Sequence, residues 1–377
     1  MKKAKKILLY IAVSLAAATL LAYATGNSYM VKSALYNFAN VDDYKKFDND
    51  TVAIAVPQPI ANSSRYNKAT LPDSMKTYLQ SIETGALLVI KNDSVVFEEY
   101  WDEFSADGLS GSFSVAKSIT SMLLGIAVQE GHIKSIDDKV QQYLPWFTGG
   151  GKENVSIRHL LTMSSGTDFS ESYINPFSIT ANLYYGDDLV STANDVSMAT
   201  KPGTLHKYKS GDTQLLGLIV EKATGKKLAQ YASEKLWQPL GATHAALWST
   251  DKAGGNTKAY CCFNTNARDF AKLGQLMLHG GQWNGRQLID SAYVAASGKA
   301  CNIPDESGQP CQYYGYQWWV SPEHDGVFYA RGILGQYIMV IPSQNAVVVR
   351  LGKVKSQVLR NATPKIVYDI MNWIPQL

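Results

Sequence analysis

The order of residue patterns along the chain predicts an α/β (α+β) fold: an antiparallel sheet flanked by helices, with an all-helical lobe. Three observations carry this reading. Residues 85–101 are rich in Val, Ile and Phe around a Lys91-Asn92-Asp93-Ser94 turn, the pattern of a β-hairpin. Residues 135–285 then read mostly as helices, with apolar side chains spaced three and four apart. From residue 313 onward four alternating or apolar runs return between turns, and a helical stretch at 363–373 closes the chain. Strands, then helices, then strands imply a split α/β lobe (75–134 and 286–377), a helical lobe (135–285), and a cleft where they meet. With 377 residues, 46% hydrophobic and 18% charged, the chain is large and apolar enough to fill such a core.

Lys2, Lys3, Lys5 and Lys6 precede an apolar run over 7–24 that ends in Ala22-Tyr23-Ala24, an A-x-A cleavage site. Two readings fit residues 1–24: an export signal cleaved after Ala24, or an uncleaved anchor, since the run is about long enough to span a bilayer. Cleavage is preferred. Both readings place residues 25–377 outside the cytoplasm, periplasmic or secreted in one case and membrane-anchored in the other. Without the leader's four lysines, 31 basic residues stand against 32 acidic, so the formal charge of +3 falls to about −1. A near-neutral domain does not suit nucleic acid. Membrane contact is expected only through the leader, and the oligomeric state is left open.

Residues 25–80 read as irregular, with short helices such as 72–82. The hairpin follows, then an apolar helix from about Ser114. Inside the helical block, 157–163, 212–225, 228–237 and 266–278 have helical spacing, and Gly225 and Gly280-Gly281 supply stops. The returning strands are 313–320, 326–330, 336–342 and 346–352. There is no internal repeat.

Cys261, Cys262, Cys301 and Cys311 allow three full pairings, and export makes a disulfide reasonable. Cys301–Cys311, closing a short Pro/Gly-containing loop, is the favoured bridge. Adjacent Cys261 and Cys262 are left as free thiols, a vicinal bridge or partners elsewhere. No C-x-x-C, no H-E-x-x-H and no Cys/His cluster occurs in the sequence. The six histidines are scattered, so neither a metal nor a cofactor is expected.

The most informative segment is Ser114-Val115-Ala116-Lys117. Val115, Ile119, Met122, Leu123 and Ile126 follow with helical spacing, so Ser114 and Lys117 share one face, a turn apart. A serine hydroxyl needs an adjacent base to be a nucleophile at neutral pH, and a buried lysine can lose its proton to become one. The helix N-terminus adds positive potential where an oxyanion would form. A second S-x-x-K, Ser249 to Lys252, runs into Ala253-Gly254-Gly255 and opens no apolar helix, so it reads as loop.

Four segments together resemble the serine β-lactamase-like superfamily of class C β-lactamases, DD-peptidases, family VIII carboxylesterases and 6-aminohexanoate-dimer hydrolases. They are Ser114–Lys117 opening its helix; IRHLLTMSSG at 157–166; Tyr208-Lys209-Ser210 within YKSGDTQLLGLIVEKATGK; and LWQPLGA at 236–242. The resemblance covers about 75–375 and implies a β-lactamase/DD-peptidase-like fold. It assigns Ser114 as nucleophile, Lys117 as its base, and Tyr208 as a partner in proton transfer. Ser210 stands where the family's Y-x-N motif has Asn. The best match to the family's K-T-G strand is Ala330-Arg331-Gly332, without the lysine and threonine. The oxyanion hole would then be the backbone N–H groups of Ser114 and Ile333, with Ser210, Arg331 and Gly332 at the substrate. Tyr184 and Tyr185, in a stretch read as loop, add Tyr185 as a wall of the acyl pocket; Trp318 and Trp319 read as core or cleft wall.

The expectation is an exported serine hydrolase acting on a small-molecule ester or linear amide of the 6-aminohexanoate-oligomer type. The lost K-T-G cation weighs against β-lactamase or DD-peptidase action on cell-wall material, the first alternative. Intact Ser114, Lys117 and Tyr208 weigh against a catalytically silent cell-wall binding protein, the second.

Overall fold

The computed structural model describes residues 2–36 and 38–377. At its centre is a six-stranded antiparallel sheet. β1 (Thr84–Lys91) and β2 (Ser94–Tyr100) are the hairpin, and Asn92 and Asp93 between them have φ of 50° and 60°, the left-handed backbone a two-residue turn requires. β3 (Trp319–Val320), β4 (Phe328–Gly332), β5 (Gln336–Ile341) and β6 (Ala346–Gly352) complete the sheet in the order β2-β1-β6-β5-β4-β3. The C-terminal strands therefore add to the N-terminal hairpin through β6, with Val348 opposite Val89.

Period-two alternation loads the two faces of β6 with different partners. Val347 and Val349 pack with the helices Val115–Gln129 (α1) and Ala267–Leu278 (α2). Ala346 and Val348 pack with Ile366, Ile370 and Trp373 of the closing helix Lys365–Trp373 (α3). The sheet is thus sandwiched between helices, as its almost unbroken Val/Ile/Leu runs require.

Three features differ from the sequence reading. The strand expected over 313–320 is only Trp319–Val320, because Gln317 takes φ of 62° and breaks the extended backbone. Gln317 is buried there as a knot: its side chain bonds Leu160 O at 2.8 Å and Thr213 Oγ1 at 2.7 Å, and Ser118 Oγ donates to its carbonyl at 2.6 Å. Second, the helical block does not run to 285. α2 lies on the sheet so closely that a Cβ on Gly274 would meet Val347 at 2.5 Å. Third, Asn49–Val52, Ala246–Ser249, Phe263–Thr265 and Ser110–Gly111 form a second, four-stranded sheet. Segments of two to four residues are too short to leave a period in the sequence.

The leader is one helix, Lys2–Ala24, whose apolar stretch over 22 residues has a mean hydropathy of 2.2 and could cross a bilayer by length and composition. The next helix, Ser28–Tyr36, is tied to the domain: Ser28 Oγ donates to Asp187 at 2.8 Å and Lys32 pairs with the same carboxylate at 2.5 Å.

Candidate active site

α1 begins at Val115, and Ser114 is its N-cap, yet the Ser114 side chain makes no capping hydrogen bond. Its φ of −65° and ψ of −5° are already helical, so the hydroxyl is turned away from the first turn's amides. The preceding Phe113 has φ of 44°, a costly conformation for an aromatic residue. That bend throws Ser114 onto the wall of a cavity of about 670 Å³.

One turn on, Lys117 is 1% exposed and points back at the serine. Its Nζ lies 3.1 Å from Ser114 Oγ and 3.1 Å from the carbonyl oxygen of Tyr260. The Tyr208 and Tyr260 rings flank it, with centroids 5.0 and 5.3 Å away. Burial pulls its pKa down from the usual lysine value to about 8, against the opposing field of the Glu171 carboxylate. A lysine so placed is neutral in about a tenth of molecules at pH 7 and in about half at pH 8, far more than an exposed lysine would be.

Tyr208 arrives from the segment leading into the helix Ser210–Thr224. Its phenol interacts with Ser114, and burial, helped by Glu171, holds its pKa well above the ordinary phenol value. It is therefore a protonated donor at neutral pH. Its ring stacks on Trp319 at 5.5 Å, while Trp318 is a buried core residue.

Ser210 also lines the cavity, but its hydroxyl is committed. Both its amide and its Oγ donate to Glu171, each at 2.7 Å, and Tyr173 O–H donates to the same carboxylate at 2.6 Å. Glu171 thus sits at the N-terminus of a helix, where the dipole favours an anion. Sequence reasoning missed Glu171 and Tyr260. Each joins the site from a loop distant in sequence, and no spacing marks either.

Gly332 ends β4 and Ile333 follows it, where the short β3 no longer covers the strand. Ile333 lines the same cavity as Ser114. A close approach within the protein already requires glycine at 332: a Cβ there would stand 2.3 Å from the Ser112 carbonyl oxygen. Arg331 is not among the residues lining the cavity. Alternation sends it to the Tyr337 side of the sheet, its guanidinium 5.1 Å from the Trp319 ring centroid. Tyr184 and Tyr185 do line the cavity, from a short helix, Ile179–Tyr185, rather than a loop. Two further residues unmarked in the sequence, Lys353 and Lys355, complete one wall, Lys353 paired with Glu103.

Ser249 ends a strand, its hydroxyl donating to Asn49 at 2.8 Å; it lies outside the cavity, as does Lys252. The structure bonds Cys261 to Cys262 and leaves Cys301 and Cys311 unbonded, contrary to the bridge favoured from loop length.

A model of the family described as Beta-lactamase matches residues 71–362. The 6-aminohexanoate-dimer hydrolase of Paenarthrobacter ureafaciens is 29% identical over 300 residues, covering 74% of this chain and 75% of that protein. The crystal structure of a family VIII carboxylesterase matches with a TM-score of 0.65 at 17% identity, over 84% of this chain and 99% of that one. An octameric penicillin-binding protein homologue from Pyrococcus abyssi matches with a TM-score of 0.62 at 19% identity, over 80% of this chain and 77% of that one. At such identities the two structures speak for the fold alone, while the family match spans Ser114, Lys117, Tyr208 and β4 together. On that match, and with a buried lysine against the serine hydroxyl, the chain belongs to the Beta-lactamase family and is a serine hydrolase.

Proposed function

We propose that this chain is an exported hydrolase that cleaves small esters or linear amides through an acyl-enzyme on Ser114. The observation that carries the proposal is Lys117, buried and held between Ser114 Oγ and the Tyr260 carbonyl. In its neutral form Lys117 keeps one N–H on Tyr260 and turns its lone pair to the serine proton. Ser114 Oγ then attacks the substrate carbonyl. The oxyanion is received by the backbone N–H groups of Ser114 and Ile333, both on the cavity wall. Tyr208 passes a proton to the departing alkoxide or amine and recovers one from Lys117. Water enters, the same groups work in reverse, and Ser114 is released.

The cavity supports the choice of substrate. Phe113, Tyr184, Tyr185, Ile333 and Leu334 line it, and Ile174, 87% exposed, stands at its rim, surfaces that suit an extended hydrocarbon acyl chain. The similarity to a 6-aminohexanoate-dimer hydrolase supports linear amides. The apolar leader helix supports export, as a cleaved signal or an anchor. A second reading, action on carboxylate-bearing cell-wall peptides or β-lactams, is favoured by Lys355 in the lining.

One panel tests both: a short-chain p-nitrophenyl ester, the linear 6-aminohexanoate dimer, nitrocefin and a D-Ala-D-Ala peptide. The ester or the linear amide should exceed nitrocefin in kcat/KM by about one to two decades, the value of a lost charge-assisted contact to a carboxylate. A tenfold preference for nitrocefin would overturn the assignment.

A further inference from the structure

Behind Tyr208 the fold assembles three metal-ligand side chains that lie far apart in sequence. His206 is two residues before Tyr208. Cys301 and Cys311 sit on the two arms of a loop closed by its own backbone: Cys301 N–H donates to Tyr314 O at 2.8 Å, and Cys311 N–H to Ile303 O at 2.8 Å. The loop is sewn to the His206 segment by His206 N–H on Pro304 O at 2.7 Å and by a Lys207–Glu306 ion pair at 2.7 Å. One ring nitrogen of His206 and the two sulfurs all lie within 4.8 Å of one another.

The histidine is oriented for ligation. His206 Nδ1 lies 2.9 Å from the Thr162 carbonyl oxygen. A carbonyl only accepts, so Nδ1 carries the proton and Nε2 offers its lone pair to the thiols. A ring N–H held by a backbone carbonyl is the usual outer support of a metal-bound imidazole. Tetrahedral zinc, with Zn–S of about 2.3 Å, sets its sulfur ligands about 3.8 Å apart. The imidazole nitrogen would stand about 3.6 Å from each sulfur, so the cluster needs to tighten by roughly 1.2 Å at most. His206 and Cys311 are buried, and Cys301 is partly open, which leaves an entry path and room for water.

We propose that His206, Cys301 and Cys311 form a binding site for a thiophilic divalent cation of the zinc class, with water in the fourth position. Once loaded, two thiolates and a neutral imidazole balance the ion's double charge. The ion would clamp the loop carrying Tyr313 and Tyr314 to the segment carrying Tyr208, whose ring packs on Tyr314 at 6.0 Å. This goes beyond the hydrolytic reading and does not depend on it. The rival fate of two close thiols outside the cytoplasm is a Cys301–Cys311 bridge. An imidazole nitrogen within 4.8 Å of both sulfurs serves a metal and has no part in that bridge.

The test uses the full chain, stripped with chelator under reducing conditions, then loaded with Zn2+ or Co2+ and desalted. The expected results are close to one ion per chain, a thiolate-to-cobalt charge-transfer band, and a Tm raised by about 4 °C when free zinc is about a hundredfold above Kd. Cys301→Ser, Cys311→Ser and His206→Gln should each lose the Tm response to zinc. The cobalt band on the wild-type chain stands even where a variant folds poorly. Absence of stoichiometric metal, metal retained undiminished in both cysteine variants, or peptide mapping that finds Cys301 linked to Cys311 in the native protein would each overturn the proposal.

Discussion

Lys117 Nζ lies 3.1 Å from the carbonyl oxygen of Tyr260, the same distance that separates it from Ser114 Oγ. The carbonyl takes one N–H and so aims the remaining substituents of the nitrogen, including its lone pair when neutral, at the serine. A surface lysine would hold its proton above pH 10. Burial brings this one to about 8.

A pH profile follows directly. Lys117 acts as a base only when neutral, so kcat for a p-nitrophenyl ester should climb with pH and level off above about 8. Stopped assays across that range, corrected for spontaneous ester hydrolysis, read it. A flat acid side would remove Lys117 from the role of base.

Lys117→Met separates function from stability. Turnover should fall by roughly three decades or more, as for other members of a catalytic unit. Stability should hold or rise, by up to about 3 kcal/mol at pH 7, because an uncompensated buried amine is replaced by an apolar chain of similar size. The sign follows from linkage. The folded pKa lies below the unfolded one, so the unfolded chain binds the extra proton, and wild-type stability rises with pH between about 8 and 10.5. Urea melts across that range should show the rise shrinking in the variant.

Glu171 raises the Lys117 pKa, while desolvation lowers it. Glu171→Gln should therefore move the acid limb of the kcat profile to lower pH. It should also cost about tenfold in kcat, since the amide and hydroxyl of Ser210 lose a charged acceptor. An acid limb moved upward, or unmoved, would show that Glu171 does not act on Lys117.

Gly332→Ala places a Cβ 2.3 Å from the Ser112 carbonyl oxygen, two residues before the nucleophile. The atom it meets is backbone, so β4 must back away from the Ser112 segment that leads into α1. About 1–3 kcal/mol of stability should be lost, with kcat falling more than KM rises. Thermal melts and ester kinetics on one preparation check both.

Local signals made part of this legible in the sequence. The hairpin showed because Asn92-Asp93 is a turn pair between Val/Ile-rich runs, and α1 because its apolar spacing follows Ser114 without a break. Ser114 and Lys117 share a face of one helix, so their meeting needed only the helical period. Tyr208, Gly332 and Ile333 came through the resemblance, from motif-like segments. What stayed hidden is what tertiary folding alone creates. Glu171 is one acid in a Ser-rich stretch until it meets Ser210, and the Tyr260 carbonyl has no side-chain signature at all. His206 and Cys301 are 95 residues apart, so the sequence offered only scattered histidines and a cysteine pair that read as a bridge. Gln317 broke an expected strand because its buried amide holds three elements together, and no strand propensity registers that.

The central claim is that Ser114 carries the acyl group. A slowly hydrolysed p-nitrophenyl ester or an acylating serine reagent should add one mass increment to the intact protein, mapped to the peptide holding Ser114 and absent from that holding Ser249. Ser114→Ala should take up no label and lose turnover by several orders of magnitude while melting as the wild type does. A labelled site elsewhere, or more than a tenth of wild-type turnover in Ser114→Ala, would contradict it.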